Sequence, residues 1–166
     1  AEIERSTISM TKNSLFINYP TTPGAPVSWA SGGTSPTITR VTGKLSKYAT
    51  RIAAGAGNEG YLYQQVTGVA NGKYAIEFAT ELQSGSYTGA GVLILNSSAA
   101  TIASYSLHNT ADVNGNTSTS LTGLRSFRPA EFTVTTGDGI LNIYVGAHIT
   151  NLGQSIASAN SVDFHQ

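Results

Sequence analysis

Nowhere in this chain do apolar residues recur at helical spacing for three turns, whereas alternation with a period of two appears repeatedly. That property commits the chain to strands. The clearest is Lys73 to Thr80, KYAIEFAT, in which Tyr74, Ile76 and Phe78 fall on one face and Ala75, Glu77 and Ala79 on the other. Tyr61 to Val66, YLYQQV, alternates too. Asn71-Gly72, lying between the two runs, tolerates the positive φ of a hairpin turn, so they are expected to pair antiparallel. Glu131 to Thr135 and Ile140 to Val145 flank Thr136-Gly137-Asp138-Gly139 and predict a second hairpin. Weaker strands are expected at Ser14–Tyr19, Thr37–Val41, Ala49–Ala53, Gly91–Leu95, Thr101–Leu107 and Ser161–His165.

Many short strands separated by Gly, Asn and Ser turns, with no repeat of 20 to 50 residues, predict an all-β fold: an antiparallel β-sandwich of the jelly-roll kind. The 166 residues suffice for one such domain, with residues 1–24 read as an N-terminal extension or linker. One segment is longer than an ordinary connection. His108 to Ser126, HNTADVNGNTSTSLTGLRS, is polar and rich in Asn, Thr and Ser, and loops of that length are usually functional or mobile.

Charge narrows the functional classes. Only 11% of residues are charged, nine basic against nine acidic, so there is no basic field for nucleic acid and no acidic one for a cationic partner. With no cysteine, zinc-thiolate sites, disulfides and thiol nucleophiles are excluded. No apolar run approaches the roughly 18 residues of a membrane span. The first residue is Ala1 rather than Met, the pattern expected of a processed protein or of a domain cut from a longer one.

Catalytic patterns are thin. His108, His148 and His165 form no triad or metal motif recognisable by spacing. Glu77 and Glu81, four apart on an extended strand, would stand about 13 Å from each other, beyond the roughly 5 to 9.5 Å of paired glycosidase carboxylates. Neither a P-loop nor a GxSxG elbow occurs.

The order of several short stretches resembles the galactose-binding-like jelly-roll family of carbohydrate-binding modules, including copies in bacteriophage tail fibres and tailspikes. The stretches are Trp29 after a proline-rich entry, Tyr48-Ala49-Thr50-Arg51-Ile52, Tyr61-Leu62-Tyr63-Gln64-Gln65-Val66, Gly72 to Phe78, Phe132-Thr133-Val134 and the closing Ser161-Val162-Asp163-Phe164. The resemblance implies a non-catalytic, receptor-binding module on a virion surface or outside the cell, with bacterial surface polysaccharide as partner and a homotrimer as the assembly. Two further readings stay open: a structural fibre cap or trimerisation module with no sugar ligand, and an accessory module of a polysaccharide-degrading enzyme. Members commonly bind a structural calcium between an acidic residue after an early Phe and the terminal Asp. Here Ile17 follows Phe16, which leaves Asp163 as the metal candidate, with Asp112 or Glu4 as partners.

Saccharides present apolar C–H faces ringed by hydroxyls, so aromatic platforms flanked by amides, guanidinium groups and carboxylates recognise them. Trp29, Tyr61, Tyr63, Tyr87 and Tyr105 are the platform candidates, and Gln65, His108 and Arg125 the polar ones. Period two puts Tyr61, Tyr63 and Gln65 on one face of their strand. The alternative for Tyr61, Tyr63 and Trp29 is the core, and for the long loop a solvated excursion.

Overall fold

The computed structural model describes residues 28–165 apart from 46, 136 and 155. Twelve strands are present among them: β1 (Ala30–Gly33), β2 (Thr37–Thr42), β3 (Tyr48–Ala54), β4 (Gly60–Val66), β5 (Gly72–Tyr74), β6 (Phe78–Ser84), β7 (Gly91–Asn96), β8 (Thr101–Ser106), β9 (Leu124–Phe127), β10 (Phe132–Val134), β11 (Leu141–His148) and β12 (Asn160–His165). A short 3-10 turn at Thr150–Leu152 is the sole helical element among the described residues. Among the described residues no helix is long and apolar enough to cross a membrane.

Two five-stranded antiparallel sheets, ordered β1-β4-β11-β7-β8 and β2-β3-β12-β6-β9, face each other, and β10 pairs with β5 in a small third sheet. The fold is therefore an antiparallel β-sandwich, as the alternation requires. The first sheet contributes Leu62, Val66, Val92, Ile94, Leu141, Ile143 and Val145 to the core, and the second contributes Ile38, Ile52, Phe78, Leu82, Phe127, Val162 and Phe164. Phe78 and Phe127, opposite each other on β6 and β9, stack at 5.1 Å and 13°.

Several sequence expectations are corrected. The run KYAIEFAT is two strands: Gly72–Tyr74 joins Phe132–Val134 in the small sheet, Ala75–Glu77 leave the ladder, and Phe78 opens β6 in the second large sheet. Alternation persists across the change of sheet, so the pattern alone does not reveal it. YLYQQV does not pair with that run. β4 lies between β1 and β11, with Tyr63 opposite Ala30 on one side and Tyr144 on the other. The second expected hairpin also fails, since β10 pairs with β5 while β11 occupies the middle of the first sheet. The strand expected at Ser14–Tyr19, residues 1–24, Glu4 and the Phe16-Ile17 step lie outside the described residues.

Candidate functional site

The first sheet has an unusual outer face. Along β4, Leu62, Gln64 and Val66 point into the core, so Tyr61, Tyr63 and Gln65 must point outward. β11 alternates in the same sense and places Asn142, Tyr144 and Gly146 directly opposite Gln65, Tyr63 and Tyr61. The result is a cluster of three tyrosines. Tyr63 and Tyr144 stack at 5.7 Å and 26°, and Tyr61 meets both edge-on, at 6.3 Å and 5.3 Å. Beyond the rings on the same two strands, the Gln65 amide donates to the Asn142 carbonyl at 3.3 Å.

Two glycines make room for this arrangement. A Cβ on Gly32 of β1 would stand 2.4 Å from the Tyr61 ring, and one on Gly146 would stand 2.6 Å from the Tyr61 Cβ. The Tyr61 ring therefore leans across bare backbone, and burial pushes its phenol pKa up. Tyr63 is the most open of the three, 38% exposed.

The other half of the face is roofed. Leu93 and Leu95, opposite Tyr144 and Asn142 on β7, are buried beneath Ile149 and Leu152, and Tyr61 and Tyr144 pack against the rim of that small cluster. What stays open is a strip over β1, β4 and β11. At the far ends of β4 and β11 lies a shallow depression of about 390 Å³, lined by Gly68, Val69, Ala70, Asn71, Gly137, Asp138 and Gly139. The residues facing outward on the strip, Ala30, Gly32, Tyr61, Tyr63, Gln65, Asn142, Tyr144 and Gly146, include no charged side chain.

The other sequence candidates do not join this surface. Trp29 is buried in the main core just ahead of β1. Tyr87 is fully buried, receives a hydrogen bond from the Thr80 hydroxyl at 3.1 Å, and lies under the Arg125 guanidinium at 5.2 Å. Arg125 is itself a framework group. Its Nε donates to Asp112 at 2.9 Å, its two terminal nitrogens donate to the carbonyls of Ser118 and Asn116, and its plane also covers Phe127. The long polar segment is thus pinned from within. Tyr105 donates its hydroxyl to the Ala130 carbonyl at 2.8 Å on the core side of β8, and His108 is exposed in the turn after β8. Tyr144, absent from the sequence candidates, belongs to the site. The signal was available, because Leu141, Ile143 and Val145 form one apolar face and leave Asn142 and Tyr144 on the other.

Asp163 lies on the outer face of the second sheet. Glu81, Asp163 and His165 offer ligand atoms within 4.8 Å of one another, a convergence that spacing along the chain did not reveal. All four carboxylate oxygens are already hydrogen-bonded: those of Asp163 by Arg51 and Gln83, and those of Glu81 by Lys44 and Gln83. Asp112, the suggested calcium partner, is held by Arg125 and by the N–H groups of Asn114 and Asn116.

This second cluster gives a pH prediction. Burial pushes the His165 pKa below its ordinary value, against the pull of Asp163 and Glu81 and with Lys44 adding to the depression. The folded ring holds its proton more weakly than the unfolded one. Its contribution to stability is therefore complete above about pH 6.5 and is lost as the pH falls through the depressed value. Denaturation midpoints measured from pH 7.5 to 5 should fall in the wild type and fall less in His165→Gln. Equal slopes would remove His165 as the source.

No family model matches the chain, and no curated protein sequence does. Solved structures do. The structure of TmCBM61 in complex with β-1,4-galactotriose superposes with a TM-score of 0.54 at 14% identity, over 96% of this chain and 97% of that one. The enzymatically active domain of bacteriophage CBA120 tailspike protein 4 gives a TM-score of 0.54 at 12% identity, over 84% of this chain and 18% of the tailspike chain. This chain thus spans less than a fifth of the tailspike domain. At these identities the likeness concerns fold, and the fold is a β-sandwich like that of carbohydrate-binding modules.

Proposed function

We propose that the domain is a non-catalytic carbohydrate-binding module that takes its ligand on the outer face of the first sheet. The observation that carries this reading is the contacting cluster of Tyr61, Tyr63 and Tyr144, continued along β4 and β11 by the Gln65–Asn142 amide pair. Aromatic rings meet the C–H faces of a sugar and amides meet its hydroxyls. Support comes from a carbohydrate-binding structure with the same fold over nearly its whole length. The absence of carboxylates and histidines from the outward positions of the strip favours binding over turnover, because glycoside cleavage requires a proton donor and a base beside the bond.

The tailspike likeness and the family resemblance extend the proposal to a setting. The domain would be the receptor-binding part of a phage tail fibre or tailspike, on the virion surface, with bacterial surface polysaccharide as partner. A trimer of chains would raise weak binding at each site through multivalency.

The test is a glycan-array screen of the purified domain against bacterial surface polysaccharides and plant glucans, with light scattering on the same sample. Binding that disappears in a folded Tyr61→Ala, Tyr63→Ala double variant is the expected result. A stable trimer that binds no glycan would overturn the proposal in favour of a structural fibre module.

A further inference from the structure

We infer that the ligand is a neutral, linear glycan lying along β4 and β11 and read from its side over about three sugar rings, rather than a terminal sugar held end-on. This rests on the carbohydrate reading of the same face. The shape of the open surface is the first argument. Ile149 and Leu152 stand over Leu93 and Leu95 and wall off one long side, so the exposed strip is only three strands wide but continues lengthwise. From Tyr61 to Gln65 is four residue steps, about 13 Å at 3.3 Å per residue, room for about three hexose rings in file. Past the Gln65–Asn142 end of the two strands lies the shallow depression lined by Gly68, Val69, Asn71 and Asp138.

Its chemistry is graded along that length. One end offers the Tyr61 ring lying over Gly32, the middle the Tyr63–Tyr144 stack, and the other end only the two amides. A chain following the strands would thus meet stacking first and hydrogen bonds last. Charge fixes the class. None of the strip's outward residues is cationic, whereas Glu59 lies close enough to act electrostatically on Tyr61 at one end and Asp138 lines the depression at the other. An acidic polysaccharide would find carboxylates at both ends and no counter-ion between them.

The test uses calorimetry with β-1,4-linked galactose, glucose and mannose oligosaccharides of one to five units. Polygalacturonate and polymannuronate fragments serve as acidic probes. For whichever neutral series binds, affinity should rise roughly threefold to tenfold per unit up to about three units and then level. The acidic fragments should not bind. A Gln65→Ala, Asn142→Ala variant should lose roughly tenfold in affinity for the trimer and little for the dimer, while Tyr63→Ala weakens both. A monosaccharide that binds as tightly as the trimer, or an acidic fragment that binds as tightly as a neutral one, would overturn this inference and leave the carbohydrate reading standing. Neutral binding untouched by any of these substitutions would move the site off this face and overturn both. So would failure of every glycan.

Discussion

Replacing Arg125 with methionine should cost the domain about 3 to 5 kcal/mol of folding stability, the range seen when one member of a buried ion pair is removed. Both side chains are almost wholly buried, 3% exposed for Arg125 and 4% for Asp112, so the remaining carboxylate would be stranded. Burial by itself raises the Asp112 pKa. The hydrogen bond from Arg125 and the N–H groups of Asn116 and Asn114 outweigh that and hold it below the ordinary carboxylate value. Methionine roughly conserves volume but supplies no donors, so the Ser118 carbonyl loses the guanidinium and the Asn116 carbonyl keeps only the Asp112 N–H. Urea denaturation checks the magnitude. The deficit should narrow as the pH is lowered through the carboxylate range, because in the variant Asp112 escapes its penalty by taking a proton. A loss below about 1 kcal/mol at neutral pH would mean that the segment from His108 to Ser126 opens and lets water reach Asp112.

Gly33→Val should be nearly as damaging and should also reach the candidate site. Gly33 sits at φ 101°, in the left-handed region that a β-branched residue avoids, and a Cβ there would stand 2.2 Å from the Glu59 carbonyl oxygen. That neighbour is backbone and cannot swing aside. Strain of about 1 to 3 kcal/mol from the dihedral and a similar amount from overpacking would be relieved by lifting β1 from β4. Gly32, opposite Tyr61 in the same pairing, would leave with it and take away the backbone against which the Tyr61 ring leans. The expected outcome is a fall in the urea midpoint together with loss of glycan affinity beyond that of Tyr63→Ala. Lost stability with unchanged affinity would show that the tyrosines hold their arrangement without β1.

Much of this is legible in the alternation alone. β2, β3, β4, β7, β8 and β12 lie within a residue or two of where the period-two pattern puts them; β4 is buried on one face and open on the other, whereas β7 and β12 are buried on both. The same pattern puts Tyr61, Tyr63 and Gln65 on one face of β4 and Leu62, Gln64 and Val66 on the other, but it does not tell which face is the inner one; the packing of Leu62 and Val66 in the core does. Partners were not legible. A period fixes which side chains share a face but not which strand lies alongside, so nearness along the chain suggests a partner for β4 other than its true neighbours β1 and β11. Tyr87 and Arg125 were misplaced for a related reason: a Tyr and an Arg near a polar loop carry no mark of burial until their partners are known. The meeting of Glu81, Asp163 and His165 needed two strands brought together from opposite halves of the sequence.

The middle position of each large sheet belongs to one of the last two strands in the sequence, β11 in the first and β12 in the second. During synthesis, β4 and β7 in the first sheet and β3 and β6 in the second must therefore wait with a bare edge for strands made after them. Neither layer can close until then. Such a domain is mostly non-local in its contacts, so it should fold slowly and only once β11 and β12 have been made. A nascent chain stalled before residue 141 would expose β4, β7, β3 and β6 as unpaired edges at once, the condition under which strands from separate molecules find each other instead.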